Sequence, residues 1–118
     1  MPRELRHPDP RDVPLDRVLS ALGDPVRLRI MAVLADREEH PREDFEVGVG
    51  PSTVSHHMRT LREAGLTRHR LEGTRCFVSL RKETLRRYPD VLEGVLRTCA
   101  QEAVAAGGPA AGSGGERG

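Results

Sequence analysis

A mainly α-helical domain closed by one small β-hairpin is the fold class the sequence predicts, and three observations predict it. Apolar residues recur at helical spacing in four stretches, each bounded by Pro, Asp or Gly. Between the third and fourth the period changes to two, across a glycine-containing turn. The 118 residues carry no internal repeat and suit one domain. Only 36% are apolar, 3% are aromatic and none is Trp, so the core is modest and a second chain would help to bury apolar surface.

Taken in order, Met1 to Asp12 has Pro2, Pro8 and Pro10 among charges and reads as a flexible arm. The folded domain then spans 13–106. Leu15, Val18, Leu19 and Leu22 mark a first helix that ends at Gly23. Asp24 is a good N-cap with Pro25 at the first helical position, which predicts a second helix from Pro25 to about Ala35. Pro41 to Val47 has a weaker signal, about two turns anchored by Phe45 and Val47. Gly48, Val49 and Gly50 then connect it tightly to the next helix, a helix-turn-helix arrangement.

That next helix, Pro51 to Ala64, organises the chain. Val54, Met58, Leu61 and Ala64 form its buried stripe, and Gly65 lies just past its end. The opposite face carries Ser52, Thr53, Ser55, His56, Arg59 and Arg62. Short hydrogen-bonding residues on the first turns suit base edges in a major groove, and later arginines suit phosphates. Ser52, Thr53, Ser55 and His56 are therefore the candidate base readers. The same pattern also describes an ordinary surface helix, so its surroundings matter.

Two of them favour nucleic acid. From Pro51 to Tyr88 there are nine Lys/Arg and three Asp/Glu, a net of +6 in a chain whose total is only +1. The segments Leu66–Leu71 and Thr74–Leu80 read as strands around a Glu72-Gly73 turn, a hairpin placed as a wing. Arg68, Arg70 and Arg75 would then reach a backbone or neighbouring minor groove, together with Arg59 and Arg62 on the helix. A solvated hairpin edge protected by charge is the plainer account of the hairpin arginines.

Lys82 to Ala106 is the last helix, with Leu85, Tyr88, Val91, Leu92, Val95, Leu96, Cys99 and Ala103 on a broad stripe. Tyr88-Pro89-Asp90 splits it into a short turn and a longer helix. So wide a stripe suggests a homodimer through the first and last helices, at Leu15, Val18, Leu19, Val91, Leu92, Val95, Leu96 and Cys99. The alternative is that it covers the domain's own core. Residues 107–118 are Gly/Ala/Ser-rich and read as a disordered tail.

The stretches LSALGDPVRLRIMAVLA (Leu19–Ala35), STVSHHMRTLREAGL (Ser52–Leu66) and RLEGTRCFVSL (Arg70–Leu80) resemble the ArsR family of winged helix-turn-helix regulators. The resemblance covers roughly Leu15 to Ala106. It implies a homodimeric repressor on an imperfect palindrome of double-stranded DNA, released by an inducer. It departs from the family's familiar metal sensors, because His40 to Gly50 has no cysteine and Lys82 to Ala106 has no histidine. His56 and His57 are adjacent on a helix and point about 100° apart. No metal site and no cofactor are therefore expected, and the inducer stays unassigned.

Cys76 and Cys99 are too few for a disulfide framework, and no apolar run approaches a membrane span, so a cytoplasmic protein is expected. A thiol-based redox-responsive repressor using Cys99 or Cys76 is one alternative. A winged-helix module that docks protein is another. No glycine-rich phosphate loop and no nucleophile with a matched base stands in the sequence, which argues against an enzyme.

Overall fold

The computed structural model describes residues 3–105. Its elements are β1 (Arg3–Glu4), α1 (Leu15–Leu22), α2 (Pro25–Leu34), β2 (His40–Pro41), α3 (Pro51–Glu63), β3 (Thr67–Glu72), β4 (Arg75–Leu80), α4 (Lys82–Arg87) and α5 (Pro89–Ala105). Single 3-10 turns cover Pro10–Asp12 and Arg42–Asp44. The helices build a core around Val18, Ile30, Met31, Leu34, Leu61, Leu92 and Leu96. The sheet is antiparallel, in the order β1-β3-β4-β2. This is the winged helix-turn-helix class that the periodicity predicts.

Local chemistry sets the helix ends. The Asp24 carboxylate accepts from the amides of Val26 at 2.9 Å and Arg27 at 3.1 Å, and Pro25 occupies the first turn. At the end of α3 the Leu66 amide donates to Leu61 O and the Gly65 amide to Arg62 O. These two bonds make a Schellman termination, with Gly65 at φ +76°. Here glycine is required twice over, since an added Cβ would also lie 3.1 Å from Val13 Cγ2.

Four expectations need correction. Pro41 to Val47 forms no two-turn helix: β2 pairs with β4 through His40–Val78 and Pro41–Phe77, and one 3-10 turn follows. With only Phe45 and Val47 buried, the segment has too little apolar surface to hold a longer helix. The hairpin turn falls one residue later than expected. Glu72 pairs with Arg75, leaving Gly73-Thr74 as the two-residue loop, with Gly73 at φ +62°.

The arm is also more engaged than its composition suggests. β1 pairs with β3 through Arg3–Leu71 and Glu4–Arg70. Val13 is buried under the end of α3, and Tyr88 Oη donates to its carbonyl at 2.9 Å. The tail expected over 107–118, like residue 106 at the expected end of the domain, lies outside the described residues.

The fourth correction concerns the dimer residues. Val18, Leu92, Leu96 and Cys99 are buried within the chain itself, so they cannot supply free surface for a partner. Val91 and Val95 are half-buried. Leu15 and Leu19 stand out, 39% and 48% exposed on a face of α1 that the chain leaves open.

Candidate nucleic-acid interface

Helix α3 is positioned by its apolar side. Val54, His57, Met58, Leu61 and Ala64 are buried, which turns Ser52, Thr53, Ser55, His56 and Arg59 outward as the sequence pattern requires. Gly50 supplies no side-chain cap, so the first amides of α3 are left to partners from outside the helix. The helix is also tied to the domain at its centre. His57 Nδ1 lies 2.9 Å from Arg27 Nη1 and 3.7 Å from the Asp24 carboxylate. Arg27 can only donate, so in this contact the acceptor is His57 Nδ1. The His56 and His57 rings meet edge to face at 5.3 Å, with His56 exposed and His57 committed to Arg27.

Sequence reading missed Arg42. From the 3-10 turn ahead of α3, its Nη2 donates to Ser55 Oγ at 2.8 Å and to the Pro51 carbonyl at 3.4 Å. It therefore orients a candidate base reader from another element. A single Arg in a weakly patterned stretch gives no periodic signal that could have revealed this.

The expected phosphate contacts separate into distinct groups. Arg59 is exposed on α3. Arg75 adjoins the hairpin loop, half open, 3.6 Å from Glu43 and over the Phe77 ring. Arg68 pairs across from Ser79 at the base of the hairpin, on the wall of a cavity of about 770 Å³ shared with Arg37 and Glu39. It is not at the tip.

Arg70 is engaged within the chain. Its guanidinium donates to Glu39 at 2.7 and 3.0 Å and to Glu72 at 2.9 Å, and it stacks on Phe77. Those acceptors hold its pKa above the ordinary arginine value. A phosphate at Arg70 would have to displace two carboxylates. Arg62 is half-buried, and its Nε is buried without a hydrogen-bond partner among the described residues.

Three further histidines sit on the structure around the interface. His69 is buried beneath the hairpin, its Nε2 2.8 Å from Thr67 Oγ1. Burial first, then Arg62, His7 and Arg42, push its pKa down to about 3. His7 Nε2 accepts from the His69 amide at 2.9 Å. His40 bridges Asp36 at 2.9 Å and Asp44 at 2.8 Å. Burial opposes its charge, but the two carboxylates outweigh burial and raise its pKa. Among the described residues no group of three or more His, Cys, Asp or Glu side chains is arranged to hold a metal ion. Burial raises the pKa of the Cys76 and Cys99 thiols, and Glu102 adds to the effect at Cys99.

Comparison with known proteins adds to this geometry. The helix-turn-helix domain family matches residues 22–70, from the end of α1 into β3. The chain is similar to YceK of Bacillus subtilis (strain 168), described as an uncharacterized HTH-type transcriptional regulator. Identity is 38% over 85 residues, covering 70% of this chain and 82% of that protein. It is also similar to the HTH-type transcriptional regulator KmtR of Mycobacterium tuberculosis (strain ATCC 25618 / H37Rv). There the identity is 38% over 80 residues, covering 67% of this chain and 62% of that protein.

Proposed function

The chain belongs to the helix-turn-helix-type transcriptional regulators, and on that premise we propose that it is a cytoplasmic, homodimeric repressor of ArsR type. In this reading it holds an imperfect palindromic operator until an unidentified inducer releases it. The observation that carries the reading is the outward row Ser52, Thr53, Ser55, His56 and Arg59 on a helix whose other side is locked into the core. Ser52, Thr53, Ser55 and His56 read base edges. Arg59 and Arg75 take phosphates. Arg42 sets the Ser55 hydroxyl, and Arg70 stiffens the hairpin from behind.

The exposed Leu15 and Leu19 on α1, with Val91 and Val95 on α5, form the surface on which a second copy would pack. Such a dimer places two α3 helices about 34 Å apart, one turn of duplex. The raised thiol pKa values leave little thiolate at neutral pH, which weighs against Cys76 or Cys99 as a redox trigger. No helix among the described residues is long and apolar enough to cross a membrane.

Fluorescence anisotropy with operator and scrambled duplexes tests the assigned roles. Replacing Ser55 and His56 together by Ala should weaken operator binding by roughly 1–3 kcal/mol while leaving scrambled binding nearly unchanged. Equal loss on both duplexes would remove these residues from base reading.

A further inference from the structure

Of the residues expected on the outward face of α3, Arg62 is the one the fold draws inward, and it lines a cavity. We propose that this cavity binds an oxyanion. It measures about 580 Å³ and is lined by Arg6, His7, Pro8, Arg17, Arg62 and Glu63. Three separate parts of the chain meet there: the segment leading to α1, α1 itself and the last turn of α3.

Three arginines face one carboxylate. Among the described residues none of Arg6, Arg17 and Arg62 makes an ion pair, and Glu63 is the one acid on the cavity wall. The Arg62 Nε–H is, among the described residues, the buried side-chain donor without an acceptor, and native structures satisfy nearly all such groups from protein, ordered water or a bound ion. His7 does not fill that role. Its Nε2 accepts from the His69 amide, and burial, Arg81 and Arg62 hold its pKa down, so the ring is a neutral wall.

Three arginines lining one open cavity offer planar guanidinium groups to the oxygens of a phosphate or carboxylate, which can accept from two forks at once. Neither a metal cation nor an apolar ligand fits that lining. An oxyanion there would join α1, the helix bearing the exposed Leu15 and Leu19, to the end of the helix proposed to read DNA. Its source can be a free phosphorylated or carboxylated small molecule, or a phosphodiester of bound duplex.

The test begins without DNA, so it stands apart from the operator reading. Thermal unfolding of the full chain is followed by circular dichroism while sodium chloride is exchanged for sodium phosphate at constant ionic strength and pH. Phosphate should raise the melting temperature saturably. Arg62→Gln and Arg17→Gln should each weaken the apparent phosphate affinity about tenfold or more, and Arg97→Gln, on the exposed side of α5, should not. Arg17 is exposed on α1, so its variant keeps the test open if Arg62→Gln fails to fold. A gain that follows ionic strength alone, or that both cavity variants retain, overturns the proposal.

The source is read in a second titration, with phosphate added to the protein–duplex complex. Continued phosphate binding identifies a free anion, and displacement of phosphate by scrambled duplex identifies the DNA backbone. Either result supports the oxyanion site.

Discussion

Two histidines give the protein opposite pH responses, and each follows from the atoms beside it. His69 is buried and neutral, its pKa lowered from 6.5 to about 3. The unfolded chain binds that proton more readily, so His69 contributes stability that is present above pH 6.5 and lost as pH falls towards 3. The expected slope is about 1 kcal/mol per pH unit in that window, with His7 acting in the same direction. His40 has a raised pKa between Asp36 and Asp44. Its contribution is fully present below 6.5 and is lost as pH rises through its folded value. Urea unfolding at a series of pH values should show the acid-side loss, and His69→Leu should flatten it. An unchanged slope would contradict the buried neutral ring. Arg59 and Arg70 make a second contrast. Arg59→Ala should reduce the salt dependence of duplex binding by about one phosphate contact. Arg70→Ala should lower thermal stability modestly and leave that slope nearly unchanged, because Glu39 and Glu72 already occupy it.

At the scale of elements, what the sequence makes legible is what is decided locally. Asp24-Pro25 and Gly65 announce the start of α2 and the end of α3, and both termini form as read. Asp24→Ala removes an acceptor for two amides and should cost about 1 kcal/mol. Gly65→Ala should cost more, about 1–3 kcal/mol, since it adds a strained φ to a crowded Cβ. Chemical denaturation of the two variants would check the order. The misread elements are short and depend on tertiary partners. β1 and β2 have two residues each and exist because β3 and β4 offer edges to pair with. Arg70 finds Glu39 thirty-one positions away, a pairing no local pattern encodes. The hairpin itself was legible from its period, but its turn shifted because the pairing of Glu72 with Arg75 places Gly73 first in the loop.

For the molecule as a whole, a helical stripe gives the width of an apolar face but not which part the chain's own core will claim. The core takes Val18, Leu92, Leu96 and Cys99 and leaves Leu15 and Leu19 open. Leu19→Glu should therefore convert a dimer to a folded monomer in sedimentation experiments and weaken operator binding more than scrambled binding. A dimer that survives the charge would move the proposed interface elsewhere. Charge is distributed on the same scale: the +6 carried between Pro51 and Tyr88 is nearly cancelled by the rest of the chain. Net charge therefore conceals the basic surface on which the functional reading rests.

The most direct test of that reading is anisotropy with labelled duplex from upstream of the protein's own gene, measured over several salt concentrations against a scrambled duplex. Binding should be tight, sequence-preferring and weaken steeply and log-linearly with salt. Affinity that is equally weak on both duplexes and insensitive to salt would contradict it.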